Sequence, residues 1–311
     1  MAFKLLYICI LQNLQQMNKY IFKIALTTIG VVCITLTWEG CSSDNKKAQA
    51  LFGENKDNAA KDTSAIAMRV QKVRDIFNNL PTTIQIMQLL KQTGSHYIIE
   101  VPSDPTTVSK YSSKQGQGIN LGVYAADLAY AGLFDQKTDA SLFLQSANKL
   151  ATSLGIPDAF NENIISRIEA NMANQDSLLT IIINDFWTTD TYLKKNDRQE
   201  VSAYLVAGGW VEGMYIATQL AAKSTNNQAM ANEIARQKIS LQDLSDMLKT
   251  YPNSPNMQTL AAQIQKIQDV FAGITVDASS KEDGPALLTP AQLKAITDAV
   301  TALRTQLIQQ S

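Results

Sequence analysis

From about Ser64 to the C-terminal end, apolar residues recur three and four positions apart, as in Ile66, Met68, Val70, Val73, Ile76 and Phe77, and again in Leu241, Leu244, Met247 and Leu248. That spacing follows the turn of an amphipathic helix, and the two-residue alternation of a half-buried strand is nearly missing. The pattern predicts helices over 64–80, 82–93, 118–134, 138–154, 160–173, 176–195, 197–223, 227–250, 255–273 and 290–309. Local signals agree with several of these ends. Ser254-Pro255 and Thr289-Pro290 each set a capping side chain before a proline at the first helical position, and Gly155 and Gly273 follow helical runs. Residues 94–117 form a long connection with Pro102, Pro105 and a short extended piece expected at His96–Val101, and residues 274–288 form a second. The expected body is all-α, a multi-helix bundle of about ten helices in a single domain spanning 64–311.

Two of these segments depart from the one-wet-face rule. Between Asn120 and Phe134 the only charge is Asp127, and between Val201 and Ala222 the only charge is Glu212. A helix that is apolar on nearly every side is one that other helices surround, so these two are expected at the centre of the bundle. Gly208, Gly209 and Gly213 sit inside the second segment, although glycine costs ~1 kcal/mol relative to alanine in a helix interior. Close backbone contact would justify that cost, with Ala125, Ala126 and Ala129 as the small residues of the facing helix. A third segment, Leu178–Thr189, carries Asp185 as its only charge, beside Phe186 and Trp187.

Isolated carboxylates in apolar helices are the main chemical hint in the chain. A desolvated carboxylate is costly unless it is paired, hydrogen-bonded, protonated or bound to a cation. Two readings follow. Asp127 accepts hydrogen bonds from Tyr124 or Tyr130, or pairs with an arginine such as Arg167 or Arg198; or the acids line a ligand pocket with Tyr124, Asp127, Tyr130, Asp185, Trp187, Trp210, Glu212 and Tyr215 around it. The amphipathic outer segments 227–248 and 291–308 carry Gln, Lys, Asp and Glu on one side, which reads as a solvated face or a groove for a partner.

Composition narrows the function. With 27 basic and 28 acidic residues there is no excess positive charge for a phosphate backbone, so no nucleic-acid partner is expected. His96, in the long connection, is the single histidine, and Cys9, Cys33 and Cys41 all precede the helical body. Ser-His-Asp, Cys-His and HExxH chemistry would all have to pass through His96, and a di-iron bundle would need more histidines than one. Neither G-x-S-x-G nor a phosphate-cradling G-x-x-x-x-G-K is present. No catalytic residue, metal or cofactor is therefore expected.

Ahead of the body, residues 24–38 form an uncharged apolar run preceded by Lys19 and Lys23 and followed by Gly40-Cys41-Ser42-Ser43. The run is shorter than the ~20 residues of a spanning helix, which makes it an export leader. MNKYIFK, from Met17, has the length and charge of the leader's first region, so residues 1–16 read as an upstream extension or mis-start. A cysteine after a small residue at the end of such a leader resembles the lipobox of bacterial lipoproteins. That resemblance implies a signal peptide over 1–41 with Cys41 as the lipidated residue, although Trp38 and Glu39 depart from the usual pattern. Residues 42–63 are polar and mixed in charge, the composition of a flexible tether. The hexapeptide Gly122–Asp127 resembles the GxHxxE signature of imelysin-type envelope proteins, which are helical, with Tyr124 for the histidine and Asp127 for the glutamate. Loss of that histidine removes the residue best suited to a transition metal. The whole pattern, a lipobox leader before a helical body with an NLGVY-x-x-DL-x-Y segment, is similar to envelope lipoproteins of the Bacteroidota type. It implies a membrane-anchored protein of the cell envelope, at the outer membrane and facing the periplasm or the surface. The resemblance supplies a location and no activity; with the main catalytic constellations missing, the residues read as a binding or scaffold module for a protein or envelope component. The alternative is a small-ligand or metal receptor, or a carboxylate enzyme, with its pocket between the central helices.

Overall fold

The computed structural model describes residues 96–156, 162–224, 228–276 and 284–310, all within one compact unit that runs from Asp57 to Ser311. The leader, Cys41, the tether and the helices expected at 64–80 and 82–93 lie outside the described residues. Among the described residues the fold is all-helical: α1 Lys114–Leu133, α2 Lys137–Ser153, α3 Glu162–Ala170, α4 Gln175–Lys195, α5 Gln199–Lys223, α6 Gln228–Arg236, α7 Lys238–Lys249, α8 Pro255–Phe271 and α9 Pro290–Gln309, with a 3-10 turn at Pro105–Lys110 before α1. No helix among the described residues is long and apolar enough to cross a membrane.

The two nearly uncharged helices, α1 and α5, pack against each other more extensively than any other pair. Around them lie α2 and α4 against α1, and α9 against both, with α7 and α8 completing the side next to α5 and α9. The glycines make the central crossing possible. A Cβ on Gly122 would collide with the Leu205 carbonyl and stand 2.6 Å from the Gly209 nitrogen, and one on Gly208 would collide with the Ile119 carbonyl. The helices thus touch backbone to backbone, which only residues without a side chain allow.

Three local expectations need correction. The long connection ends four residues earlier than expected, because Ser113 caps α1 by accepting from the Gly116 N–H. His96–Val101 is irregular chain closed by a bond from the Val101 N–H to the Ile98 carbonyl, and no strand forms among the described residues. The helix expected over 227–250 breaks at Gln237, whose buried side-chain oxygen accepts from Ser240 Oγ, the hydroxyl that in turn accepts from the Trp210 indole. Neither glycine nor proline marks that break, so tertiary packing decided it. At the capped ends, Thr289 forms a full capping box with Gln292, whereas Ser254 precedes Pro255 without making a side-chain cap. Gly155 closes α2 at φ +66°, a conformation glycine adopts without strain.

Candidate functional site

Asp127 and Glu212 are fully buried, each at 0% exposure, and the helix crossing brings them to one place. The group that answers them is Arg304. Its Nε donates to Glu212 Oε2 at 2.9 Å and its Nη2 to Glu212 Oε1 at 3.0 Å, a two-point fork that uses both carboxylate oxygens. The same Nη2 donates to Ser103 Oγ at 2.8 Å, and the guanidinium lies 4.4 Å from the centre of the Tyr215 ring. Asp127 Oδ2 accepts the Ser103 N–H at 3.1 Å. One guanidinium thereby joins α5, α9 and the segment before the 3-10 turn, and Ser103 of that segment carries the link on to α1.

Asp127 is the exception within this group. No donor reaches its Oδ1, which is fully buried, and the Glu212 charge lies close enough to act on the acid. Burial and the neighbouring Glu212 charge raise its pKa well above the ordinary aspartate value, against the opposing pull of Arg304 and the Ser103 N–H. Burial and the Glu212 charge together favour the protonated form of Asp127.

The aromatic residues of α1 have a different task. Tyr130 accepts the Ile98 N–H at 2.9 Å and stacks on Tyr97, with ring centres 4.8 Å apart, while Tyr124 donates to the Asp104 carbonyl at 3.1 Å. Tyr97 in turn donates to Asp139 at the start of α2. Burial raises the pKa of Tyr130 to about 12, so it stays a neutral phenol. Together with Ser103, these contacts strap residues 97–104 along α1.

Of the residues expected around a pocket, Asp127, Glu212 and Tyr215 meet through Arg304, and Tyr124 and Tyr130 fasten the strap beside them. Trp210 lies elsewhere: its indole N–H donates to Ser240 Oγ of α7 at 2.9 Å. Asp185 is buried on α4, where desolvation, partly offset by Arg167, raises its pKa to about 7; Trp187 next to it is half-buried. The arginines expected to pair with Asp127 do not do so. Arg167 acts on Asp185, and Arg198 bonds to the Gly155 carbonyl. His96 is exposed. A cavity of about 470 Å³ at the start of α5 is lined in part by Lys114, Arg198 and Ser254. Another of about 440 Å³, between α6 and α9, is lined in part by Asn232, Leu288 and Lys294. None of the expected pocket residues lines either one.

The sequence reading missed Arg304 because it placed the polar residues of α9 on a solvated face. Yet Arg304 falls on the buried stripe formed by Ile296, Val300, Leu303 and Leu307, and a charge at helical spacing within an apolar stripe is the signal that could have found it. The outer segment 227–248 needs the same correction. Asn232, Glu233 and Gln237 are buried; Glu233 pairs with Arg236, and Asn232 Oδ1 accepts the Leu287 N–H. Asp190 was missed as well: it is buried at the end of α4, bonded to Ser202 of α5 and to Lys194. Among the described residues, no three of His, Cys, Asp and Glu gather into a group that could hold a metal ion. No family model, curated protein or solved structure matches this chain.

Proposed function

We propose that the protein is a lipid-anchored component of the cell envelope whose helical body serves as a binding or scaffold module, without covalent chemistry of its own. The observation that carries this reading is the use to which the two central acids are put. Both Glu212 oxygens are held by the Arg304 fork, and Asp127 Oδ2 holds the Ser103 N–H. Groups bonded to neighbouring elements hold helices together, whereas a receptor or a carboxylate enzyme needs such groups turned toward a ligand; the one acid oxygen that no donor reaches, Asp127 Oδ1, is fully buried, and Asp127 lines neither the cavity at the start of α5 nor that between α6 and α9. The anchor is Cys41, at the end of the apolar leader, and the tether over 42–63 sets the body off from the membrane. Ser42 and Ser43 follow the anchor with no acidic residue directly after Cys41, which favours the outer membrane.

The anchor is tested by growing cells with an alkyne-bearing palmitate analogue and following the label and the membrane fraction. Wild type is expected to carry label and to sediment with membranes, and Cys41→Ser to lose both. Label on the serine variant, or no label on wild type, overturns the anchor. The role of the body is tested by a thermal-shift screen against magnesium, calcium, zinc and a panel of metabolites. The binding-module reading expects no shift that depends on the central acids. A shift in wild type that is lost in Asp127→Asn overturns it in favour of a small-ligand or metal receptor between the central helices.

A further inference from the structure

We propose that a single proton, held on Asp127, latches the strap formed by residues 97–104 over the crossing of α1 and α5. The argument is one of geometry. Asp127 Oδ1 has no donor, Asp127 Oδ2 already holds the Ser103 N–H, and the neighbouring group is Glu212, whose two oxygens face the Arg304 fork. A buried carboxyl oxygen that no donor reaches is best satisfied when it carries a proton, which also removes the repulsion from Glu212. The two acids cannot move apart instead, because their helices are locked at the glycine contacts of Gly122 and Gly208. A second ionised acid would therefore have to find water. Ser103, which bonds Asp127, is buried, while Ile99 is 69% exposed and Glu100 and Asp104 are exposed, so the strap runs from solvent down to the acid.

The charged and titratable groups around Asp127 are known from each element packed on it. Glu212 and Tyr215 come from α5, Arg304 from α9, Tyr97 from the strap, and Tyr124 and Tyr130 from α1 itself. On α2, Asp139 is engaged by Tyr97; on α4, Asp190 is engaged by Lys194 and Ser202, and Asp185 faces Arg167. Among the described residues Arg304 is the positive charge that acts on Asp127, and it already serves Glu212. Lifting the strap lets water solvate Asp127, which then releases its proton. Opening is thus coupled to the loss of one proton and becomes easier as pH rises, whereas acid holds the strap shut.

Amide hydrogen exchange across residues 97–104, corrected for the intrinsic pH dependence of exchange, tests this on the full-length protein. In wild type the opening constant is expected to rise up to tenfold per pH unit between the ordinary aspartate value and the raised one, the signature of one linked proton. In Asp127→Asn, whose amide keeps an acceptor for Ser103 and puts a donor where the acid carries its proton, the pH dependence is expected to vanish while the fold is retained. Infrared spectra provide a second readout: in an Asp185→Asn background, which removes the other raised acid, a protonated carboxylic acid band is present below the raised value of Asp127 and lost on adding Asp127→Asn. Equal pH dependence in the two proteins, a missing acid band, or failure of Asp127→Asn to fold each overturns the proposal.

Discussion

Replacing Arg304 with methionine keeps the side-chain length and apolar stem but removes the guanidinium that holds Glu212, Ser103 and the Tyr215 ring. Glu212 is fully buried, so its carboxylate is left without a counter-charge in a place water does not reach. Breaking a buried pair from one side costs about 3–5 kcal/mol, since the surviving charge keeps its desolvation penalty and loses its partner. Against a total stability of roughly 5–15 kcal/mol for a domain, that is a large share. The second half of the cycle isolates the cause. In Arg304→Met/Glu212→Gln the carboxylate that lost its partner is gone as well, and the double variant should regain about 2 kcal/mol over the single one. Urea unfolding followed by far-ultraviolet circular dichroism measures both, with an unchanged slope confirming that the same transition is compared. If Arg304→Met costs less than about 1 kcal/mol, or the double variant is no more stable than the single, then the fork is not what ties α5 to α9.

Two further outcomes follow from other parts of the molecule. Gly208→Ala should destabilise by about 1–3 kcal/mol, because the new Cβ meets the Ile119 carbonyl at the central crossing, whereas Gly273→Ala, with open space around its Cβ position, should stay within about 0.5 kcal/mol of wild type. Thermal unfolding of the two variants side by side tests the contrast. Asp185, raised to about 7 by burial, binds its proton more tightly in the folded chain than in the unfolded one. Its contribution is full below the unfolded value near 3.8 and is lost as pH rises toward 7, at up to about 1.36 kcal/mol per pH unit. Asp185→Asn should therefore gain on wild type across that window, and parallel stability curves for the two proteins would refute the assignment.

Helix spacing and the placement of lone charges are local properties, and they were legible in the chain. The two nearly uncharged segments are the two central helices, Gly208 sits at their contact, and Thr289 before Pro290 caps α9 as its residues require. The burial of Asp127 and Glu212 follows from the same pattern, since each is the lone charge of a segment with no wet face. What answers those acids was not legible. Arg304 stands 92 residues from Glu212, and Ser103 lies 24 residues from Asp127. Neither separation leaves a periodic trace, because a hydrogen bond between distant elements depends on how helices cross and which face each turns inward. The break at Gln237, the strap over α1 and the diversion of Trp210 to Ser240 have the same origin. The sequence by itself determined which residues avoid water; only the tertiary structure decided which partner each buried polar group would meet, because that choice belongs to the packing of whole helices and to no single one of them.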